Sequence, residues 1–421
     1  MIVPSIDIMG GKAVQLRRGR EKVLERDDAL ALARDFSRFG EIAVVDLDAA
    51  LGGRPNTDLI RHLAAAAECR VGGGIRTLER AGEVLRLGAA RIIIGSAVFH
   101  RNNASDGRAV PDISFLEALV QAVGRERIII ALDAWDGQIV SQGWTQRTGW
   151  AVEELLAGLE PLCSEYLVTF VEREGMMAGL PLERAAALAG LTRNRLTAAG
   201  GIARVEEVEA LAGLHIDAQV GMALYTGAID PAEAFVRSLN WSGGLLPTVV
   251  EDEAGRVLML AYSSRESLAL SFRLGRMHYF SRSRRGLWLK GETSGHYQEL
   301  CRARADCDAD AILVTVRPRG PACHRGTQTC FGRRPFAWKE LYDVVERRIR
   351  DRPPDSYTAG LDDLTLAGKI REEAEELVEA QTPDEIAWEA ADLLYFMTVR
   401  LARKGVYLEQ VLGELERRRR P

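Results

Sequence analysis

Two short segments, Ser5-Ile-Asp-Ile-Met-Gly-Gly11 and Ala131-Leu-Asp-Ala-Trp-Asp-Gly137, decide the fold of this chain. Each segment ends an apolar, β-branched run with an aspartate and a glycine turn. Two further pairs recur in the same order, Gly73-Gly-Ile75 with Gly200-Gly-Ile202 and Gly95-Ser-Ala97 with Gly221-Met-Ala223. Because the spacing between partners is nearly constant, residues 1–240 are predicted to form two similar halves.

The sequence of these halves alternates between short apolar runs and segments of helical periodicity. Eight strands, each followed by a helix, are typical of a (β/α)8 barrel, also called a TIM barrel. The predicted strands are Ile2–Ile8, Ile42–Leu47, Cys69–Val71, Arg91–Ile94, Ile128–Leu132, Tyr166–Thr169, Leu196–Ala199 and Ala218–Val220. Sites in such barrels lie at the carboxyl ends of the strands, so Asp7 and Asp133 are expected on opposite sides of the barrel mouth.

The repeat also predicts the chemistry of this mouth. One of the two aspartates can act as a general acid while the other acts as a base. Glycines after the third, fourth, seventh and eighth strands let backbone N–H groups approach a phosphate. Two such loops, one in each half, predict a long substrate with a phosphate at each end. A single Gly-Gly-Ile is ordinarily only a turn and a strand-end aspartate only a cap, but three pairs in register favour a functional site.

These 240 residues resemble the histidine-biosynthetic isomerase that converts ProFAR, an aminoaldose, to its aminoketose by an Amadori rearrangement. The likeness rests on Val3-Pro-Ser-Ile-Asp7, Gly72-Gly-Gly-Ile-Arg76, Gly143-Trp144, Val168-Thr169 with Glu174-Gly175 and Gly179, and Gly221-Met-Ala-Leu-Tyr225. The resemblance implies that Asp7 and Asp133 are the acid/base pair and that Thr169 assists. The expected binding residues for substrate and phosphate are Gly74, Arg76, Gly95, Ser96, Trp144, Gly200, Gly201, Gly221 and Met222.

Three positions depart from that isomerase family. Gln15 stands where the family usually has an arginine, and Phe170 and Glu174 each replace an aspartate. Two alternatives remain for the barrel. In the first, it also isomerises phosphoribosyl anthranilate, a substrate of tryptophan synthesis. In the second, suggested by Gln15 and Phe170, it is a degenerate scaffold that only binds or dimerises. The related cyclase, which makes the imidazole ring, fits less well because its opening sequence differs.

A second segment, 241–337, begins at the glycine pair of Trp241-Ser-Gly-Gly and is predicted to be a compact α+β domain. It contains Asp306-Cys-Asp-Ala-Asp310. Successive strand residues face opposite sides, so on a strand the three carboxylates share one face and are predicted to bind Mg2+. Cys307 then faces the other way and is predicted to join Cys323 and Cys330 at a catalytic Zn2+ with an open fourth position. A structural four-cysteine site is the alternative, but the only spare cysteine nearby is Cys301.

This segment closely resembles phosphoribosyl-AMP cyclohydrolase, which opens the adenine ring by hydrolysis. The matching motifs are Tyr279-Phe-Ser-Arg-Ser-Arg284, Lys290-Gly-Glu-Thr-Ser-Gly-His296, Asp306-Cys-Asp-Ala-Asp310 and Cys323-His324 with Cys330. Ala309 replaces the usual glycine. The residues implied to bind substrate or phosphate are Ser281, Arg282, Lys290, Thr293, Ser294 and His296. The resemblance also implies a homodimer, because the zinc thiolates of this family come from two subunits.

The last segment, 338–421, is predicted to be helical, with long helices at about 361–380 and 384–403 and Thr382 as an N-cap. Spacings of three and four residues put acids on shared helix faces, where a bound cation would relieve their repulsion. The predicted magnesium ligands are Glu372, Glu373, Glu376, Glu389 and Asp392. A solvated acidic face is the alternative. Together with Ser356-Tyr-Thr358 and Lys369, the pattern resembles phosphoribosyl-ATP pyrophosphatase. The resemblance implies that Lys369 binds the substrate or its phosphate.

The composition agrees with a multidomain enzyme of two or three domains. A net charge of −5 and a pI near 5.9 argue against a general nucleic-acid binder. No apolar run approaches the ~20 residues that span a bilayer. Six cysteines do not make a disulfide framework, so a soluble cytoplasmic protein is expected. The three resemblances name consecutive steps of histidine biosynthesis on small phosphoribosyl nucleotides.

Overall fold

The computed structural model describes residues 1–103, 108–332 and 337–418. The chain divides into two compact units, Met1–Phe331 and a second unit that begins at Gly332. The first unit contains both the N-terminal barrel and the α+β domain. The proposed division near residue 241 therefore lies inside one packed unit. None of the helices in the described ranges is long and apolar enough to cross a membrane.

The N-terminal part is an eight-stranded parallel barrel, as predicted. Its strands follow the order β9-β12-β13-β14-β1-β4-β5-β6, and pairing of β6 with β9 closes the ring. The barrel strands are β1 (Ile2–Met9), β4 (Ile42–Asp46), β5 (Cys69–Gly72), β6 (Arg91–Ile94), β9 (Ile128–Trp135), β12 (Glu165–Phe170), β13 (Arg195–Ala199) and β14 (Ile216–Val220). Six further strands form hairpins around it: β2 (Lys12–Arg17), β3 (Glu21–Arg26), β7 (Phe99–Asn103), β8 (Ala109–Pro111), β10 (Gln138–Ser141) and β11 (Gln146–Ala151).

Helices cover the outside of the barrel, with their apolar faces packed on the strands. They occupy the segments of helical periodicity between the barrel strands, as predicted. The helices are α1 (Ala29–Phe36), α2 (Leu47–Ala50), α3 (Thr57–Ala66), α4 (Leu78–Arg86), α5 (Ile113–Val123), α6 (Val152–Leu159), α7 (Leu182–Ala189), α8 (Val205–Gly213), α9 (Met222–Tyr225) and α10 (Pro231–Arg237). Inside the ring, Ile93, Ile129, Leu167 and Ala199 form a separate apolar layer. The interior is therefore packed, and access is left at the mouth.

A network of buried charges closes the amino-terminal end of the barrel. Glu165, the first residue of β12, is fully buried and forms ion pairs with Arg70 and Arg91. Arg70 and Arg91 also pair with Glu41, and Arg195 pairs with Asp217 at 2.5 Å. The N-terminal amine donates to the same Asp217 at 2.6 Å. Burying these charges is tolerable because each one has a partner of opposite sign.

The α+β domain has a four-stranded sheet in the order β16-β15-β20-β19, with a separate β17–β18 hairpin. Its elements are β15 (Leu246–Asp252), β16 (Val257–Ser263), α11 (Arg265–Leu274), β17 (His278–Ser281), β18 (Gly286–Leu289), β19 (Gln298–Ala305) and β20 (Ile312–Pro318). The strand geometry predicted for Asp306-Cys-Asp-Ala-Asp310 is wrong. β19 ends at Ala305, and the acidic segment is a turn in which Ala309 takes a left-handed φ of 60°.

The α+β domain packs against the barrel through an aromatic cluster. Phe272 of α11 lies 4.9 Å from Phe39 and 5.5 Å from Phe235, ring centre to ring centre. Arg38 donates to the carbonyl of Phe272 at 3.1 Å. The acidic turn is tied to the end of the barrel as well, because the amide of Asn240 donates to the carbonyl of Ala309 at 2.8 Å. These contacts explain why the two parts form one compact unit.

The C-terminal unit is helical, as predicted, and Thr382 caps α15 by accepting from the amide of Glu385. Its helices are α12 (Trp338–Asp351), α13 (Tyr357–Gly360), α14 (Asp363–Glu379), α15 (Pro383–Arg403) and α16 (Leu408–Arg418). The buried core is small and consists of Val345, Leu361, Leu366, Phe396 and Val399. Val378 and Trp388 are 82% and 71% exposed, so a large apolar surface remains uncovered on α14 and α15.

We predict that Phe272→Ala destabilises the unit formed by the barrel and the α+β domain. Phe272 is only 4% exposed, and removing its ring leaves a cavity between the two parts. The expected loss is about 3–5 kcal/mol in the free energy of unfolding, measured by urea titration. Leu274→Ala, on the same helix but 57% exposed, is the matched control and should change it by less than about 0.5 kcal/mol. Equal effects of the two variants would contradict the interface.

Candidate active sites

The barrel mouth holds a cavity that gathers every barrel residue predicted from the sequence. Those twelve lining residues are Asp7, Gly74, Arg76, Gly95, Ser96, Asp133, Trp144, Thr169, Gly200, Gly201, Gly221 and Met222. Parallel register explains part of this convergence, because Thr169 of β12 lies directly beside Asp133 of β9. Gln15, Glu174 and Gln219 also line the cavity, although none of them was predicted as a site residue.

The two aspartates of the mouth are desolvated. Burial raises the pKa of Asp7 to about 6, partly offset by the hydroxyl of Ser5, which donates to it at 3.2 Å. Burial likewise raises the pKa of Asp133, and the hydrogen bonds from Trp144 and Thr169, which lower it, offset only part of this rise. The indole of Trp144 donates to Asp133 at 2.8 Å. Carboxyl groups whose pKa is raised from the ordinary value suit proton exchange with a substrate.

Glu174 is a third acid at the mouth. In the sequence it replaces a family aspartate, and it was not predicted as a site residue. Burial raises the pKa of Glu174 to about 8, with further contributions from the negative charges of Asp7 and Asp133. Its loop is fixed on the β2–β3 hairpin, since the amide of Arg18 donates to the carbonyl of Glu174 at 2.9 Å. The signal was available in part, because Glu174 lies in the loop that follows the carboxyl end of β12, and the loops at this end of the strands line the mouth.

The glycine loops have the same backbone form in both halves. Gly73 and Gly200 have φ values of 100° and 101°, which glycine adopts without strain. A Cβ on Gly73 would lie 2.1 Å from the carbonyl oxygen of Asp46, and one on Gly200 would lie 2.4 Å from that of Phe170. Gly95 and Gly221 also match, with φ of −106° and −108°. The sequence repeat therefore corresponds to a structural repeat around the mouth.

The predicted zinc ligands are only partly gathered within one chain. Cys323 and Cys330 are hydrogen-bonded to each other, and their segment is held by the amide of Cys330, which donates to Leu258 at 2.8 Å. The amide of Arg325 chiefly lowers the pKa of the Cys323 thiol. Cys307 does not converge with these two, because no three-thiol group is found among the described residues. Two thiolates alone leave a tetrahedral zinc site incomplete.

The acidic turn does bring its three carboxylates together, although not as a strand face. Oxygen atoms of Asp306, Asp308 and Asp310 all lie within 4.8 Å of one another, and all three side chains are exposed. The charge of Asp308 chiefly raises the pKa of Asp310, so the repulsion is uncompensated. The amide of Ala311 donates to Asp306 at 3.1 Å and closes the turn. The donor set is the all-oxygen type that Mg2+ prefers.

The remaining predicted residues of this domain lie around the β17–β18 hairpin and the loop after it. Lys290 is buried, and desolvation lowers its pKa. Negative charge on Cys330 and Cys323 acts in the opposite direction and offsets part of this decrease. The guanidinium of Arg282 stacks on the ring of Tyr262 at 3.8 Å. Ser281 accepts from the amide of Arg284, and the amide of His296 donates to Ser294. Thr293 is exposed. Lys290 is thus a buried cation near the cysteine pair.

In the C-terminal unit, three of the five predicted magnesium ligands converge. Carboxylate oxygens of Glu373, Glu376 and Glu389 lie within 4.8 Å of one another. Burial, followed by the negative charge of Glu376, raises the pKa of Glu373, and the same two causes raise the pKa of Glu389. Glu372 and Asp392 are not in this group. Glu372 instead pairs at 2.8 Å with Lys369, so this lysine is engaged by an acid rather than free for phosphate.

The barrel cavity and the separate clusters define a multidomain enzyme with more than one reaction centre. Comparison with known families agrees. Residues 1–230 match the family described as histidine biosynthesis protein, 259–332 match phosphoribosyl-AMP cyclohydrolase and 338–419 match phosphoribosyl-ATP pyrophosphohydrolase. The chain belongs to the histidine biosynthesis protein family. It carries, in order, the isomerase, cyclohydrolase and pyrophosphohydrolase domains of histidine biosynthesis, whose substrates are small phosphoribosyl nucleotides.

Curated relatives carry the same pathway in their names. The histidine biosynthesis bifunctional protein HisIE of Thermus thermophilus is 44% identical over 195 residues, which is 42% of this chain and 90% of that one. Its namesake in Pyrococcus furiosus is 37% identical over 45% of this chain and 99% of that one. The histidine biosynthesis trifunctional protein of Saccharomyces bayanus is 45% identical over 41% of this chain and 22% of that one. Both hydrolase families are metal-dependent in general.

We predict that Glu174→Gln flattens the pH dependence of stability. The folded pKa of Glu174 is about 8 against 4.5 for the free side chain, so folded protein holds a proton that unfolded protein has released. Stability from this group is complete below pH 4.5 and is lost as the pH rises to 8, by up to about 1.4 kcal/mol per pH unit. Urea unfolding from pH 5 to 8 measures the slope.

The variant should lose less stability over this range than the wild type, and the slope that remains comes from other carboxyl groups whose pKa is raised, Asp7 and Asp133 among them. Glu183→Gln, at an exposed position on α7, is the matched control and should leave the profile unchanged. An unchanged slope in Glu174→Gln would show that the side chain titrates normally.

Proposed function

We propose that this chain performs three consecutive reactions, each in its own domain, with the following residue roles. The C-terminal unit removes pyrophosphate from phosphoribosyl-ATP, the α+β domain opens the adenine ring of the product, and the barrel isomerises ProFAR. The proposed domain boundaries are 1–240, 241–337 and 338–421. The single observation that carries the barrel assignment is the convergence of twelve predicted residues on one cavity with two desolvated aspartates.

In the barrel, we assign the proton transfers of the Amadori rearrangement to Asp7 and Asp133. Near neutral pH, Asp7 is ionised in part and can take up a proton, because its pKa is about 6. Thr169 and Trp144 hold the carboxyl group of Asp133 in place from two sides. Glu174, with a pKa of about 8, stays protonated and can donate a hydrogen bond to the substrate. The paired glycine loops would bind the two terminal phosphates through backbone amides.

We predict that Asp7→Asn lowers kcat for ProFAR isomerisation by about 100- to 10,000-fold, because it removes a proton-transfer group. Product formation is followed by chromatography with purified full-length protein. Asp136→Asn, at an exposed turn with a φ of 45° that asparagine tolerates, is the matched control and should retain wild-type activity. If Asp7→Asn isomerises ProFAR as fast as the wild type, the barrel is a scaffold. The same assay with phosphoribosyl anthranilate decides whether the barrel also accepts that substrate.

For the cyclohydrolase, we propose a zinc ion held by Cys323 and Cys330 of one chain and Cys307 of a second copy. When bound, zinc supplies a water whose pKa is lowered towards neutrality. The two neighbouring thiols fit this metal, and Cys307 is exposed and available to a partner. Phe331, which follows Cys330, is 61% exposed, and Leu260, two residues after the Leu258 carbonyl that accepts from the Cys330 amide, is 50% exposed; both favour burial in a homodimer. Asp306, Asp308 and Asp310 would hold Mg2+, and Lys290 would bind a phosphoribosyl group.

For the pyrophosphohydrolase, we propose that Glu373, Glu376 and Glu389 hold Mg2+. The raised pKa values of Glu373 and Glu389 and the short separations within the group fit a cation, because like charges this close repel each other when nothing neutralises them. When bound, the ion supplies positive charge that activates water and neutralises phosphate oxygens. Glu372 and Asp392 would act from the rim of the site. The exposed apolar face with Val378 and Trp388 offers a second dimer contact. We place the protein in the cytoplasm, where its six free thiols stay reduced.

We predict that Glu389→Gln lowers pyrophosphate release from phosphoribosyl-ATP by at least 100-fold and weakens Mg2+ binding. The loss follows from removing one charged ligand of three. Pyrophosphate is measured enzymatically, and ion affinity by titration with Mn2+ as a spectroscopic substitute. Glu375→Gln, exposed on α14 and outside the cluster, is the matched control and should change neither quantity. Normal turnover and normal Mn2+ affinity in Glu389→Gln would rule out this site.

A further inference from the structure

Two glutamines in the barrel cavity have polar atoms that lack hydrogen-bond partners. Gln15 of β2 is only 2% exposed, yet its Nε2 donor is buried and unpaired among the described residues. The Oε1 acceptor of Gln219 on β14 is buried and unpaired in the same sense. Both side chains line the cavity. An unpaired buried polar atom destabilises a fold, so two of them in one cavity indicate that a ligand group pairs with them.

Gln219 lies in β14, two residues before Gly221, and the amide of Gln15 lies against Gly221. Oε1 of Gln15 lies 2.7 Å from the position that a Cβ on Gly221 would occupy. The Gln15 amide therefore fills the space that Gly221 leaves open. The hydroxyl of Tyr225 lies within reach of the Gln15 side chain, although no hydrogen bond of regular geometry joins them, and burial and the charge of Asp7 raise the pKa of this hydroxyl.

Donor and acceptor together restrict the chemistry of the ligand group. A phosphate oxygen at neutral pH only accepts hydrogen bonds, so it would leave Gln219 Oε1 unpaired. An ammonium group only donates, so it would leave Gln15 Nε2 unpaired. A hydroxyl donates one hydrogen bond and accepts others, and it satisfies both side chains at once. An arginine at position 15 would supply donors alone, whereas Gln15 and Gln219 together offer an unpaired donor and an unpaired acceptor.

We propose that Gln15 and Gln219 form a subsite for a neutral sugar hydroxyl, which positions the ribose of the substrate beside Asp7. This inference rests on the proposed isomerase function only for the identity of the sugar. The phosphate is bound separately by the glycine loops. The subsite therefore distinguishes a phosphorylated ribose from phosphate alone.

The test compares ribose 5-phosphate with inorganic phosphate as probes of full-length protein. Met222 lines the same cavity, so the methyl signal of 13C-labelled Met222, assigned with Met222→Leu, reports binding there and not in the other domains. The variants are Gln15→Leu and Gln219→Leu, with Gln121→Leu, exposed on α5, as the matched control. Each cavity variant should weaken ribose 5-phosphate binding about 3- to 10-fold, the effect of one lost hydrogen bond. Phosphate binding should change less than twofold.

A double variant adds a further criterion. If one hydroxyl bridges both glutamines, the loss in Gln15→Leu/Gln219→Leu should be smaller than the product of the single losses. Equal weakening of both probes would mean that the glutamines bind phosphate, and unchanged binding of ribose 5-phosphate would mean that they bind no hydroxyl; either result overturns the proposal. Because the readout is binding, a protein that fails to isomerise ProFAR refutes the proposed function without deciding this one.

Discussion

The balance of charge between the two ends of the barrel is the constraint on which the rest of the structure depends. At the amino-terminal end, burial opposes ionisation of Glu165, but the guanidinium groups of Arg70 and Arg91 outweigh it and hold its pKa below the ordinary value. The N-terminal amine and Arg195 likewise lower the pKa of Asp217 to about 2. These carboxylates are paired, so they can stay buried as ions and tie neighbouring strands together.

At the carboxyl end, the same residue types receive no such compensation. Burial raises the pKa of Asp7 and Asp133, and their charges add to the burial that raises the pKa of Glu174. The fold therefore separates ion-paired carboxylates at one end of the barrel from desolvated, unpaired ones at the other. The desolvated carboxyl groups at the mouth destabilise the fold. The paired network at the opposite end and the packed apolar layer between the two ends offset this loss of stability.

The eight strands follow from local periodicity, and the mouth follows from the repeat, so both could be predicted from the sequence. Other features depend on contacts that no local pattern records. The alternating Asp306–Asp310 segment imitates a strand, but Ala309 adopts a left-handed conformation and makes a turn. The glycine pair after Trp241 predicts a domain boundary, but the aromatic contact between Phe272 and Phe39 packs the segments on either side of it into one compact unit. Among the residues that the structure describes, no third thiol lies beside Cys323 and Cys330.

The central claim is that one chain carries phosphoribosyl-ATP through all three reactions. The most direct test supplies purified full-length protein with phosphoribosyl-ATP, Mg2+ and Zn2+, and follows each product over time by chromatography and mass spectrometry. The account predicts release of pyrophosphate, a transient ring-opened ProFAR and accumulation of its aminoketose isomer. Accumulation of ProFAR as the final product, or of phosphoribosyl-AMP before it, would contradict the claim and identify the domain that does not act.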